Sequence, residues 1–174
     1  MNILLDDSGE RVAICRHQAA YAVMSYLVGL PNERMDTHTD GGCRGGWERC
    51  KAYQAILVRL AGVAYETGYG SVPFDEDMIT IGDVDEAVNI LRYAGRESDD
   101  RALMDEEVFR HFSTVCDWLA AWDTEIVELG DRLHKARYLS ARSVSGFLAS
   151  RGRAKGIPRG LACLCFPLPV TDAG

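Results

Sequence analysis

His17, Gln18 and Tyr21 are the residues of this chain whose types and spacing could do chemistry together. They fall in RVAICRHQAAYAVMSYLVGL, residues 11–30. His17 and Tyr21 are four positions apart, so on a helix they share one face. An imidazole can ligate a metal ion or move a proton. A phenol donates one hydrogen bond and accepts others. The Gln18 amide takes up no proton at neutral pH, so it supplies hydrogen bonds and not a general base. The same His–Tyr pair on an apolar face also reads as two core residues with satisfied hydrogen bonds.

Two acidic residues border later apolar segments. Glu66 ends the run AILVRLAGVAYE, and Asp83 lies in TIGDVDEAVNI. Each has a plainer role. Glu66 can close its helix in solvent, and Asp83 with Glu86 forms an N-cap pair that needs no metal. Tyr21 can hydrogen-bond His17 or Asp83 and so put a polar network where a metal would sit. His38, in DTHTDGG, is a candidate substitute ligand or an exposed loop histidine. His111 and His134 carry no assigned role. The six cysteines, Cys15, Cys43, Cys50, Cys116, Cys163 and Cys165, include no C-x-x-C pair. Reduced thiols fit them better than disulfides or structural zinc.

The elements that must position these groups are helical. Asp7 and Glu10 form a capping-box-like pair before a first helix, whose Ile14, His17, Tyr21, Met24 and Val28 recur on one face. Gly29 and Pro31 end it. Residues 32–46 are rich in Gly, Asn, Asp and Thr and predict a loop with a short strand pair, a β-hairpin. A second helix runs from about Trp47 to Glu66 with Ile56, Leu57, Leu60, Ala61 and Ala64 inward. A loop spans 69–82. A third helix starts near Asp83 and carries Val84, Ala87, Val88 and Leu91. A long helical region from about Leu103 to Arg137 carries Val108, Phe112, Val115, Leu119, Trp122, Ile126, Leu129 and Leu133 on its inner face. Trp118 and Trp122 belong to the core or to a buried interface. Ser140 caps a last helix through Val144, Phe147 and Leu148. The expected organisation is one predominantly α domain over residues 1–151 and a breaker-rich tail over 152–174.

With the segments in this order, the chain resembles the peptidase domain of FtsH, the ATP-dependent membrane zinc protease. RHQAAYAVMSYLVGLP resembles that family's first metal-site helix, which carries H-E-x-x-H followed by an apolar run and Gly-x-Pro. AILVRLAGVAYE resembles its LAG-x-A-x-E helix. TIGDVDEAVNI resembles the segment of its third zinc ligand, an aspartate followed four residues later by alanine, as in Asp83 and Ala87. The run from Trp122 to Leu148 resembles its closing helices, so the likeness covers residues 10–150. The resemblance implies that His17 and Asp83 stand at the first and third zinc ligands and Glu66 at a glutamate near the site. Gln18 replaces the general base, and Tyr21 replaces the second histidine. Losing a general base costs about two to four orders of magnitude in rate. His17 and Asp83 alone underfill a catalytic zinc site, which keeps three protein ligands.

Length and composition bound the rest. The 174 residues, 47% hydrophobic, are enough for one domain with a sizeable core. A net charge of −7 argues against nucleic acid as a main partner. The longest apolar run, Ala19 to Leu30, is too short to span a bilayer. MNILLDDSGE lacks the marks of a signal peptide, which makes the cytoplasm the expected location. No G-x-x-x-x-G-K-[ST] phosphate loop occurs, so ATP hydrolysis by that device is not expected of this chain.

Three functions follow as expectations. The first is a degenerate, peptidase-like protein without proteolytic activity or resident zinc, acting as a binding or regulatory module on a protein or peptide partner. The second is an active zinc peptidase with an altered ligand set built on His17, Asp83 and another group. The third is a metal-free pocket for a small molecule or peptide, lined by His17, Gln18, Tyr21 and Glu66. Nothing in the sequence sets the oligomeric state.

Overall fold

A computed structural model describes residues 7–32, 34–37, 52–71, 81–93 and 101–160. It is predominantly helical, as the periodicity predicts. The helices are α1 (Asp7–Leu27), α2 (Ala52–Glu66), α3 (Ile81–Tyr93), α4 (Arg101–Ala120), α5 (Asp123–Ala136) and α6 (Ala141–Lys155). Two short strands accompany them, β1 (Met35–Asp36) and β2 (Tyr138–Leu139). Among the described residues, no helix is long and apolar enough to cross a membrane.

The first helix is the axis of the fold. The sequence pattern predicts one buried face, but α1 is buried all round from His17 to Val28, with Ala19, Ala20, Val23 and Leu27 fully enclosed. The reason is its place. It packs chiefly on α5 and α2 and also meets α4 and α6, and a helix enclosed on every side is apolar on every side. Its small residues let neighbours approach. Across from it, a Cβ on Gly130 of α5 would lie 2.8 Å from the Arg16 Cα, so only glycine permits that crossing. Full burial of each Leu, Val or Met here contributes about 1.5–3 kcal/mol relative to exposure.

The helix ends follow local rules. Gly29, at φ 82°, closes α1, with Gly29 N–H donating to Tyr26 O and Leu30 N–H to Ser25 O. This is the paired-bond arrangement in which a left-handed residue satisfies the last carbonyls. The Ser140 hydroxyl accepts from Ser143 N–H at 3.2 Å and caps α6 as predicted. The helix that begins at Asp7 has its Asp7 side chain outside the described residues.

Several expectations change. The strand pair is not a local hairpin. β1 pairs antiparallel with β2, Met35 opposite Leu139 and Asp36 opposite Tyr138, across the whole chain. The long helical region is two helices, broken at Ala121–Trp122. Trp122 leaves helical geometry at φ −117° and ψ 12°, and its ring is fully buried 5.6 Å from that of Tyr26. Core burial of the largest side chain decides the break. Trp118 is only partly buried against the same core. Asp83 is not an N-cap, because α3 starts at Ile81 and Asp83 lies in its first turn. The second helix is described from Ala52, and Trp47–Lys51 lie outside the described residues. The last helix continues past 151 to Lys155. Gly152 is buried within it, and Gly160 N–H donates to Tyr26 O. Gly152 and Gly160 thus lie against the end of α1, while residues 153–156, 158 and 159 are exposed. His38, Cys43, Cys50, Cys163 and Cys165 lie outside the described residues, and Cys15 and Cys116 are buried free thiols.

Candidate functional site

The three helices that carry the predicted site residues meet. α1 supplies His17, Gln18 and Tyr21; α2 supplies Glu66; α3 supplies Asp83. Their meeting depends on Gly62 of α2. A Cβ there would stand 2.3 Å from His17 Cε1 and 2.5 Å from Nε2, so the imidazole lies against bare helix backbone. Glycine inside a helix costs about 1 kcal/mol relative to alanine. Here it makes room for a ring.

His17 is 8% exposed. Its ring meets Tyr21 edge to face, with centroids 4.6 Å apart and planes at 86°. His17 Nε2 lies 2.8 Å from the Tyr21 hydroxyl oxygen. The hydroxyl donates to Asp83 Oδ2 in a short hydrogen bond. A phenol has one proton to give. With that proton directed at Asp83, His17 Nε2 carries the hydrogen that the phenol oxygen accepts. The other nitrogen, Nδ1, is 3.5 Å from Glu66 Oε1 and makes no hydrogen bond among the described residues.

The sequence reading misses one member of the site. Arg59 of α2 places Nη1 3.4 Å from Asp83 Oδ1 and Nη2 3.0 Å from Glu86 Oε1. Asp83 is thus held on both oxygens, by a phenol and by a guanidinium. A signal for Arg59 exists in the sequence. It is the one charged residue within AILVRLAGVA, and it shares a helix face with Gly62 and Glu66 at i, i+3 and i+7.

Gln18 is 4% exposed, and its Nε2 has no hydrogen-bond partner among the described residues. Of the other described histidines, His111 lies on α4 and His134 on α5.

A catalytic zinc does not fit these groups. His17 Nε2 and Asp83 Oδ2 are 3.8 Å apart, close to what two ligands of one ion require, but the Tyr21 hydroxyl bridges them. No cluster of three or more His, Cys, Asp or Glu side chains suited to a metal occurs among the described residues. The positive charge beside Asp83 is already supplied by Arg59. What the arrangement can do is link three helices by a part-buried chain of hydrogen bonds and ion pairs. His17 Nδ1 and Gln18 Nε2 are buried there without a hydrogen-bond partner among the described residues.

Fold and site together define a helical protein built around one polar junction of α1, α2 and α3. No protein-family model matches the chain, and no curated protein matches it.

Proposed function

We propose that this chain is a peptidase-like helical protein of the FtsH type that has exchanged its metal centre for a hydrogen-bonded network and acts by binding a protein or peptide. One observation carries the reading: the Tyr21 hydroxyl bridges His17 Nε2 and Asp83, the two groups that the resemblance assigns to zinc. Two further features support it. Gln18 offers no general base, and its buried amide N–H, without a partner among the described residues, suits donating to a carbonyl of a bound chain better than activating water.

The test is the metal content of the purified native protein, read beside peptidase activity on an unfolded protein substrate. We expect substoichiometric zinc and no cleavage, in the parent and in His17→Ala alike. One zinc per chain together with cleavage that His17→Ala abolishes overturns the reading and returns the chain to the active peptidases with altered ligands.

A further inference from the structure

We infer that Arg59 independently excludes divalent cations from the His17–Asp83 site, so that restoring the motif residues does not by itself restore a metal centre. The inference rests on the metal-free reading above and deepens it.

The argument is electrostatic and positional. Arg59 lies 22% exposed at its side chain and Asp83 14%, so solvent screens this pair only in part. Glu86, on the next turn of α3 from Asp83, holds the second guanidinium nitrogen at 3.0 Å. A guanidinium is always charged and is pre-shaped to bind carboxylates. It is therefore tied down from two sides beside the one carboxylate a metal would need. A divalent ion on Asp83 Oδ2 would stand within a few ångströms of that fixed positive charge. It would also have to compete with the guanidinium for that carboxylate. Neither obstacle involves Gln18 or Tyr21. Arg59 lies on a different helix from both.

The test is zinc affinity, measured by competition with a chromophoric chelator, on four chains: the parent, Tyr21→His, Tyr21→His with Arg59→Met, and Tyr21→His with Arg59→Lys. Methionine keeps the apolar stem and removes the charge, and lysine keeps the charge. We expect Tyr21→His to bind zinc weakly. Arg59→Met in that background should tighten it at least about tenfold, the scale on which groups beside metal ligands act, and Arg59→Lys should tighten it far less. Equal affinity with and without Arg59 overturns the inference. Should the Met variant fail to fold by circular dichroism, Tyr21→His with Glu86→Gln, which only unties the guanidinium, should show a smaller gain in the same direction, and no gain overturns the inference. Stoichiometric zinc in the parent overturns the metal-free reading instead, and the ratio of the two Tyr21→His chains still judges Arg59 on its own.

Discussion

Gly62→Ala is the most searching perturbation of the site, because it adds one methyl group where the His17 ring lies. The new Cβ would fall 2.3 Å from Cε1, 2.5 Å from Nε2 and 3.0 Å from Nδ1. Ordinary carbon contacts need about 3.5–4.0 Å, so the ring or helix α2 must move by roughly 1 Å. A displacement of that size breaks the 2.8 Å contact between His17 and Tyr21. Overpacking of a core costs about 1–3 kcal/mol. The lost hydrogen bond adds about 1–2 kcal/mol, and the better helix propensity of alanine returns about 1 kcal/mol. The net expectation is a destabilisation of about 1–4 kcal/mol. For a chain of this size the melting temperature falls about 2–4 °C per kcal/mol. Gly146→Ala serves as the control: it is exposed in α6 with nothing within 4 Å of a new Cβ. There alanine should stabilise by about 0.5–1 kcal/mol. Urea denaturation of both variants, and of Gly62→Ala combined with His17→Ala, is the assay. Removing the ring should erase most of the cost of the added methyl, a coupling of about 1 kcal/mol or more. If Gly62→Ala stabilises as Gly146→Ala does, the ring does not rest on α2 and the site geometry is wrong.

Two other outcomes follow. Tyr21→Phe keeps the buried ring but strips the hydroxyl from both His17 and Asp83, and should lower stability by about 1–3 kcal/mol in denaturant titrations; a neutral result would show that the bridge is not formed. Burial, with Asp117 nearby, pushes the Cys116 thiol from its usual 9.0 up to about 11. The folded protein then keeps this thiol protonated while the unfolded chain ionises it. That contribution to stability is fully present below pH 9 and is lost as pH rises through about 11. Cys116→Ala should flatten the decline of the urea midpoint between pH 9 and 11, and an unchanged decline would assign it to other groups.

Much of this molecule can be read along the chain. The stripe Ile56, Leu57, Leu60, Ala61, Ala64 is buried as its spacing predicts, and so are Val108, Val115, Leu119, Ile126, Leu129 and Leu133. Gly29 and Ser140 act as caps where their types and positions say they should. These are contacts over three or four residues, where helix geometry alone decides who meets whom. Trp122 shows the limit: helical spacing continues through it, but the backbone leaves helical geometry there with the indole fully buried. The pairing of Met35 with Leu139 has no local signal at all, since two-residue strands carry no period to read.

The candidate site divides along the same line. Residue types alone settle that Gln18 is no base and that His17 and Tyr21 share a face, because both are properties of single side chains or one helical turn. Whether Tyr21 bonds to His17, to Asp83 or to solvent was open. The packing of α3 on α2 answers it, setting residues 62 positions apart within hydrogen-bond reach. Arg59 could be noticed as a charge in an apolar run, but its role depends on which helix faces it. Only tertiary structure places Asp83 and Glu86 there, because the crossing of two helices is decided by the shapes of many side chains at once.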